Sequence, residues 1–316
     1  MNNVVNWFLR YRDIIPEFDY FMEIVFRQPL RAIRVNTIKV SPKAIYDVLL
    51  DLGFDVYKLP SLSYVLYSPN KGLGKTIFHQ LGYYYLEDIV SILPPKILLY
   101  KIGRFPLVLD LAAAPGGKCT HMGQLLIDKH YFVLANDISK TRINILIKNI
   151  ERLGLTNIIV TCYDSRKLPY VCSDRILFDA PCSSESLIYE MSEKDLRFLV
   201  SGKSIEKYPK LQMEIIKHAY NLLADGGYLL YSVCTFAPEE CEAVVNYALQ
   251  IGFKIEKISI PSTLFKCSRG IDEWVINGEH VKFDSDIKHS VRIYPHLNFD
   301  RYGGSIGYLY IVLLRK

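Results

Sequence analysis

The chain has 316 residues, of which 50% are hydrophobic and 22% charged. This composition is too apolar for a disordered chain, and the length predicts one large core with a small second domain. The longest apolar stretch, residues 89–100, is interrupted by two prolines and a lysine well short of the roughly 18–20 residues of a membrane helix. Arg10 and Arg12 occur where a secretory signal would be apolar. We therefore expect a cytoplasmic protein that does not cross a membrane.

Cysteine content and net charge narrow the function classes further. The seven cysteines are an odd set without regular spacing, and no CxxC pair or histidine-rich cluster occurs. The sequence therefore predicts neither a disulfide framework nor a metal site. A formal net charge of +5 permits an anionic partner without requiring one. The oligomeric state is not readable from the sequence, and a monomer is the default expectation.

The first hundred residues predict a small α+β domain. Its predicted helices cover residues 4–26, 41–51 and 86–100, and its predicted strands cover residues 31–37, 55–59 and 64–67. Ser41 and Pro42 are typical of a helix start, and Gly53 is typical of a helix end. The short runs of alternating polarity are typical of strands.

After Gly103 the pattern changes to short apolar segments, most of them separated by enough residues for a helix. The predicted strands cover residues 106–110, 131–137, 157–161, 175–179 and 227–231, followed by 253–261 and 307–314. This alternation predicts an α/β fold with a doubly wound, mostly parallel sheet, and the last strand is expected in an antiparallel hairpin at the edge. The sequence thus predicts a small domain over residues 1–100 and a catalytic domain over residues 101–316. Several of these strands end in aspartate, at the sheet edge where open α/β folds bind ligands.

A glycine-containing turn follows the first of these strands, in the sequence Asp110-Leu-Ala-Ala-Ala-Pro-Gly-Gly-Lys-Cys-Thr120. Asp137 ends the next strand twenty residues after the second glycine, the layout in which a carboxylate binds ribose hydroxyls. The turn matches neither GxGxxG nor GxxxxGK[ST], which disfavours a dinucleotide site and a P-loop. S-adenosylmethionine fits better, because it has a ribose and an adenine but no phosphates, and Asp164 could accept the adenine amino group. The alternative is that Gly116 and Gly117 only form a tight turn.

Two cysteines follow strand ends on this same edge, in Phe178-Asp-Ala-Pro-Cys-Ser183 and in Tyr231-Ser-Val-Cys-Thr235. A cysteine suits a reaction at C5 of cytosine, because that carbon attacks a methyl donor only after a thiolate has added to C6. Asp179 is the candidate for stabilising the adduct at N3. A second cysteine could assist the release of the product. The alternative is that both are ordinary buried cysteines.

In this combination and order, the three motifs resemble those of the Sun family of RNA cytosine-C5 methyltransferases. The resemblance extends from residues 31–39 to residues 292–296, and it implies a Rossmann-like class I methyltransferase fold that uses S-adenosylmethionine. It implies that Cys234 is the nucleophile and Cys182 assists release, whereas DNA cytosine-C5 enzymes attack with the Pro-Cys cysteine. The order of the motifs does not by itself decide between the two. The residues that the resemblance assigns to the cofactor are Ala112, Ala113, Ala114, Pro115, Gly116, Gly117, Lys118, Asp137, Arg142, Asp164 and Asp179.

The expected substrate is a cytidine in tRNA or rRNA that is flipped out or presented in a loop. Arg31, Arg34 and Asn36 on the predicted N-terminal strand could hold the RNA backbone, with a solvated face as the alternative. The sequence does not distinguish tRNA from rRNA.

The segment Ser183-Ser-Glu-Ser186 departs from the family, which often has a glycine-containing loop there. This departure motivates a second hypothesis, a ribosome-assembly or RNA-chaperone factor that keeps the methyltransferase fold but acts by binding. A third hypothesis, a DNA methyltransferase, would require Cys182 as nucleophile and a target-recognition domain, for which the sequence shows no candidate.

Overall fold

The computed structural model describes residues 2–100 and 103–316. The helices are α1 (Asn2–Phe8), α2 (Phe18–Ile24), α3 (Pro42–Asp51), α4 (Ile77–Gln80), α5 (Leu93–Leu98), α6 (Gly117–Leu126), α7 (Lys140–Leu153), α8 (Glu193–Val200), α9 (Lys203–Leu222), α10 (Glu242–Gln250) and α11 (Phe299–Tyr302). The strands are β1 (Arg31–Val35), β2 (Tyr57–Lys58), β3 (Val65–Ser68), β4 (Tyr84–Asp88), β5 (Leu107–Asp110), β6 (Phe132–Asn136), β7 (Ile158–Thr161), β8 (Ser173–Asp179), β9 (Leu223–Val233), β10 (Lys254–Glu256), β11 (Ser268–Arg269), β12 (Glu273–Ile276), β13 (Glu279–Lys282), β14 (Val291–Ile293) and β15 (Leu309–Arg315).

The larger sheet has the order β11-β14-β15-β9-β8-β5-β6-β7, with β10 paired to β15. The neighbours from β9 to β7 are parallel, which confirms the predicted doubly wound α/β fold. Their apolar sequences match this position, since a parallel sheet is covered on both faces. The antiparallel part is larger than expected, because β15 lies between β9 and β14 rather than at the edge. The order of the strands reverses at β5, with β6 and β7 on one side and β8 and β9 on the other, which creates a crevice at the carboxyl ends of β5 and β8.

The smaller sheet has the order β2-β3-β1-β4 and is antiparallel. Side chains alternate across β1, so Ile33 and Val35 pack on one face with Ile45 and Leu49 of α3. As predicted, Ser41 caps α3, accepting a hydrogen bond from the backbone N–H of Ala44. The other face of β1 is turned toward the large sheet and its helices, which places this small sheet beside the cofactor turn.

The helix predicted over residues 4–26 is wrong, because the chain forms two helices there. The helix α1 ends at Phe8, a 3-10 turn covers Leu9–Tyr11, and α2 begins only at Phe18. Glu17 has a φ of 51°, a left-handed conformation that cannot continue a helix, and Pro16 precedes it. The break lets both segments pack on one aromatic cluster, in which Phe21 and Phe236 have ring centroids 5.0 Å apart.

The helix predicted over residues 86–100 is also only partly correct. Its first residues belong to β4, which pairs with β1 and therefore extends the small sheet. The helix α5 covers only Leu93–Leu98, with Pro94 and Pro95 in its first turn. Proline is tolerated there because the backbone N–H that it lacks would have no partner within the helix. The predicted boundary between residues 100 and 101 adjoins residues 101 and 102, which lie outside the described residues, so the division into two domains stays a prediction. Within the described residues, no helix is both long and apolar enough to cross a membrane.

Candidate active site

The candidate site lies at the carboxyl ends of β5, β6, β8 and β9. A cavity of about 440 Å³ occupies this crevice. It is lined by the turn after β5, by Asp137 after β6, by Asp179 at the end of β8 and by both cysteines of the predicted pair. The parallel topology brings these segments together although they are far apart in sequence, because the carboxyl ends of parallel strands lie at one edge of the sheet.

The turn after β5 is held in place by backbone contacts and by the end of β6. Ala113 donates its N–H to the carbonyl of Asn136 at 2.8 Å, and Ala114 donates to Oδ2 of Asp137 at 3.2 Å. Arg142 donates to the carbonyl of Ala114 and lies 3.3 Å from Asp137. Gly116 has a φ of 117°, which strongly favours glycine, and a Cβ there would come within 3.0 Å of Leu146. Asp137 thus fixes the turn while also lining the cavity.

The predicted cofactor residues fall into two groups. Those that line the 440 Å³ cavity are Ala112, Ala114, Pro115, Asp137, Arg142, Asp164 and Asp179. A neighbouring cavity of about 230 Å³ is lined by Ala113, Gly117 and Lys118, and the turn residues Ala112, Ala114 and Pro115 border both cavities. Gly116 lines neither cavity and contributes only its backbone conformation.

Ile138 and Ser165 line the cofactor cavity and were missed by sequence reasoning. Ile138 is 64% exposed and lines the cavity, a position from which its side chain can cover an aromatic ligand ring. Its only sequence signal is its position directly after Asp137 at a strand end. Asp164 receives a bidentate contact from Arg166, and hydrogen bonds from that guanidinium lower the pKa of Asp164, so it is a carboxylate in the folded protein.

The residues fit S-adenosylmethionine. The cavity offers carboxylates for hydroxyl, amino and ammonium groups, and an apolar side chain for a ring. Asp110 lines the smaller cavity, and its Oδ2 is buried without a hydrogen-bond partner among the described residues. Burial, with Asp179 nearby, raises the pKa of Asp110 to about 8. A buried polar atom without a partner suits a ligand that brings its own hydrogen-bonding group.

The two cysteines of the predicted pair are in contact. Their sulfur atoms lie 3.5 Å apart, and Oγ of Ser184 is 3.7 Å from the sulfur of Cys182. The hydrogen bond from Cys182 lowers the pKa of Cys234, and the nearby Lys118 acts in the same direction. The same hydrogen bond and burial raise the pKa of Cys182. The arrangement therefore stabilises a thiolate at Cys234 and a thiol at Cys182.

Asp179 lies beside this pair with both carboxylate oxygens engaged. Its Oδ1 accepts a hydrogen bond from Ser232 at 2.7 Å, and its Oδ2 accepts one from Lys118 at 2.7 Å. Burial alone would lower the pKa of Lys118, but the Asp179 carboxylate raises it above its ordinary value. Lys118 therefore places a positive charge next to Asp179 and close to Cys234.

The segment Ser183–Ser186, where the sequence differs from the family, is held in place by a buried glutamate that sequence reasoning did not identify. Glu185 is fully buried and accepts hydrogen bonds from Thr235 and from the backbone N–H of Phe236, each at 2.8 Å. Ser184 has a φ of 56°, a left-handed conformation that glycine adopts at lower cost. A serine thus occupies the conformation that suits the glycine-containing loop of the family.

Two of the three residues predicted to hold RNA are buried within the protein, which corrects that prediction. Arg34 is 1% exposed and donates to Glu87, Gln124 and Thr120 at 2.8–2.9 Å. Asn36 is also 1% exposed and donates to the carbonyls of Gly82 and Leu153. Both join the small sheet to the catalytic part of the chain and present no side chain to solvent.

Arg31 is partly exposed and pairs with Asp88 and Glu190 at 3.1 and 2.7 Å. Among the residues that the structure describes, no group of three or more His, Cys, Asp or Glu side chains is arranged to hold a metal ion.

Comparisons with known proteins agree with this geometry. The family model "16S rRNA methyltransferase RsmB/F" matches residues 101–300. A tRNA (cytosine(49)-C(5))-methyltransferase of Pyrococcus abyssi is 35% identical over 278 residues, which is 86% of this chain and 85% of that protein. The ribosomal RNA small subunit methyltransferase F of Pectobacterium carotovorum is 33% identical over 250 residues, 75% of this chain and 50% of that protein. The chain therefore spans about half the length of this bacterial relative.

Solved structures show the same fold. The crystal structure of a methyltransferase homolog protein from Pyrococcus horikoshii matches with a TM-score of 0.75 at 26% identity, over 97% of this chain and 93% of that one. This likeness confirms the predicted Rossmann-like methyltransferase fold. The matches to the family model and to the Pyrococcus abyssi protein confirm the predicted family and cofactor. The chain belongs to the RsmB/F family and is an S-adenosylmethionine-dependent RNA methyltransferase.

Proposed function

We propose that this protein transfers a methyl group to C5 of a cytidine in RNA through a covalent adduct between Cys234 and C6. The observation that carries the proposal is the pair of sulfur atoms 3.5 Å apart at the cofactor cavity. A reaction on an exocyclic amine needs no thiol, whereas a reaction at C5 needs one to add and benefits from a second at release. The relatives named as cytosine-C5 methyltransferases support the same reaction.

The lowered pKa of Cys234 supports its role as the nucleophile. The thiol of Cys182 donates toward Cys234 and stabilises it as a thiolate, and Lys118 adds a positive charge nearby. The thiolate adds to C6, and the electron pair of the C5–C6 bond moves into the ring toward N3. In its protonated form Asp179 donates a hydrogen bond to N3 and stabilises this charge, and Lys118, which donates to Oδ2 of Asp179, can supply that proton.

S-adenosylmethionine supplies the methyl group that C5 then takes. For release, C5 loses its proton to a base from solvent and the C–H electron pair re-forms the C5–C6 double bond. Cys234 then leaves C6 with the electron pair of the C–S bond. Cys182 is in contact with the departing sulfur and supports this elimination, since its hydrogen bond stabilises the leaving thiolate. Cys182 favours the attacking thiolate but is required only for release, whereas Cys234 is required for the adduct to form, so the two cysteines have separable phenotypes.

The RNA backbone has a suitable groove next to this site. A cavity of about 670 Å³ between the small sheet and residues 299–305 is lined by Arg27, Arg31 and Lys71, with no carboxylate among its described lining residues. Arg31 also lines the 230 Å³ cavity beside the cofactor turn. A row of cations leading to the site is the pattern expected for phosphate contacts, so we keep Arg31 as an RNA-binding residue and add Arg27 and Lys71.

The substrate class we propose is tRNA ahead of rRNA. The tRNA methyltransferase of Pyrococcus abyssi is matched along 85% of its length, whereas the chain spans half of the rRNA methyltransferase from Pectobacterium. An alignment along 85% of a relative covers more of the surface that can select its RNA than one along half. Both RNAs belong in the first assay.

The test is denaturing gel electrophoresis of the protein with S-adenosylmethionine and labelled, unmodified tRNA or rRNA. Wild type is compared with Cys182→Ala and Cys234→Ala, and Cys172→Ala is the matched control, because Cys172 lies just before the start of β8, at the opposite edge of the sheet. We expect a protein–RNA adduct to accumulate in Cys182→Ala alone, and methyl transfer to be lost in Cys234→Ala.

The opposite pattern, with an adduct in Cys234→Ala, would exchange the roles of the two cysteines. Methylation of another atom, such as an exocyclic nitrogen, would refute the proposed reaction. Sequencing of the trapped RNA identifies the target cytidine.

A further inference from the structure

We infer that a second cavity beside Cys182 binds the unpaired RNA base next to the target cytidine and favours a base with an exocyclic amino group. The inference rests on the proposed function and adds a determinant of substrate choice to it. The cavity has a volume of about 350 Å³, within the range of roughly 300–1,000 Å³ typical of small-ligand sites. It adjoins the cofactor cavity, because Cys182 and Ser184 line both.

The position of this cavity fits a neighbouring nucleotide rather than the target. In the proposed reaction the target base contacts Cys234 and Asp179, and both residues line the cofactor cavity but are not among those that line the second cavity. Cys182 separates the two spaces, with its sulfur 3.5 Å from that of Cys234. A base attacked by Cys234 therefore has its neighbour in the chain within reach of the second cavity.

The walls of the cavity offer aromatic surface to a base. Phe198 of α8 and Tyr208 of α9 are half-buried, with ring centroids 6.4 Å apart and ring planes at 86°. In this edge-to-face arrangement one ring can stack on a base while the other contacts the base edge. Lys207 lies 5.4 Å from the centroid of Tyr208, where it can contact a phosphate of the same nucleotide.

Two carboxylates among the polar groups of the cavity can only accept hydrogen bonds, and they set the preference for an amino group. Asp195 and Glu190 line it, and their carboxylates are only partly used by Ser192 and Arg31. Ser204 is 1% exposed, and its hydroxyl has no hydrogen-bond partner among the described residues. A buried hydroxyl without a partner costs free energy that a bound base can recover. Adenine, cytosine and guanine carry an exocyclic amino donor, and uracil carries none.

The experiment uses the full chain and a stem-loop RNA with a single loop cytidine, in which each flanking nucleotide is replaced in turn by an abasic one. Affinity is measured by fluorescence anisotropy, and kcat/KM by methyl transfer. Tyr208→Ala and Tyr208→Leu are compared with wild type. The matched control is Tyr170→Ala, because Tyr170 is 72% exposed and does not line the cavity.

We expect both Tyr208 variants to lose roughly 5- to 150-fold in affinity, the factor equivalent to the stacking of one base. On the RNA that is abasic at one flanking position, wild type and variants should bind equally. The control should behave as wild type throughout. Equal losses on intact and abasic RNA would show that Tyr208 acts without contacting a base and would overturn the inference.

The base preference is tested by placing uracil or cytosine at the flanking position where abasic substitution removes the difference between wild type and the Tyr208 variants. We expect wild type to prefer cytosine and Asp195→Asn to lose much of that preference, because the amide turns one acceptor into a donor. Glu193→Gln should keep it, because Glu193 pairs with Arg197 and does not line the cavity. Tighter binding of uracil by wild type would refute the stated chemistry. Since anisotropy reports base binding without turnover, absence of 5-methylcytosine would count against the proposed function and not against the cavity.

Discussion

Replacement of Glu185 by glutamine is the most direct test of how the catalytic segment is held. The side chain is fully buried, and each of its oxygens accepts two hydrogen bonds. Trp7 and Tyr11 donate to Oε1 at 2.6 and 2.7 Å, while Thr235 and the N–H of Phe236 donate to Oε2 at 2.8 Å. Glutamine keeps the shape but turns one acceptor into a donor, so two of the four donors lose their partner.

The expected cost follows from these contacts. A buried donor without an acceptor costs about 1–3 kcal/mol, so two of them cost about 2–6 kcal/mol. The lower part of this range applies, because Thr235 has an alternative partner in Ser183, with the two hydroxyl oxygens 2.7 Å apart. We therefore expect Glu185→Gln to lower the free energy of unfolding by about 2–4 kcal/mol, a large share of the roughly 5–15 kcal/mol of an ordinary domain.

Urea denaturation of the wild type and the variant measures this difference. The control is Glu190→Gln, since Glu190 is exposed and its pair with Arg31 should contribute less than about 1 kcal/mol. Alkylation of Cys234, followed by mass spectrometry, reports separately on the order of the segment that carries this cysteine, because Thr235 and Phe236, which donate to Glu185, directly follow it. A loss in Glu185→Gln no greater than in the control would refute the reasoning.

Three further predictions concern charge. Arg34→Met should lower the free energy of unfolding by about 3–5 kcal/mol in urea denaturation, because it leaves the carboxylate of Glu87 buried without its cation. A loss smaller than that caused by removing Lys43 from its exposed pair with Asp47 would contradict this prediction. The pKa of Asp110 is raised to about 8, so the folded protein keeps a proton that the unfolded chain loses near pH 4, and the contribution of Asp110 to stability falls as pH rises between these values. The urea midpoint of Asp110→Asn should therefore rise relative to that of wild type from pH 5 to pH 8. A difference between the two midpoints that does not change with pH would contradict this prediction. The lowered pKa of Cys234 predicts alkylation by iodoacetamide at a lower pH than for free cysteine, with the pH profile moving upward in Cys182→Ala; an unchanged profile would remove Cys182 as the cause.

The sequence predicted the central sheet because each parallel strand contains a short apolar run, a pattern that needs no knowledge of its neighbours. The cofactor turn was predictable for a similar reason, since glycines at a strand end and an aspartate at the next strand end are local signals. The contact between Cys182 and Cys234 required only that both follow parallel strands, β8 and β9, that topology brings together at one edge.

Arg34 shows what could not be predicted. An arginine in a strand of alternating polarity indicates a solvated face, but the partners of Arg34 lie 53 to 90 residues away in the chain. The pairing of β1 with β4 brings Glu87 to its guanidinium, and the packing of β1 against α6 brings Gln124 there. The same limit applies to Glu185, whose four donors come from two segments distant in sequence, and to the cavity walls at Phe198 and Tyr208, which face each other only because α8 and α9 pack together.

These long-range contacts have a common consequence for how the first hundred residues work. Arg34 bonds to Thr120 in the helix that follows the cofactor turn, while Trp7 and Tyr11 hold Glu185 next to the segment that carries Cys234. The N-terminal part of the chain therefore supports the cofactor side and the nucleophile side of the site at once. Because Arg31 lies on the same strand as Arg34, RNA that binds the groove at Arg31 contacts the element that also holds the cofactor turn. In the proposed function, substrate binding and the geometry of the reaction are thus joined through one strand, β1.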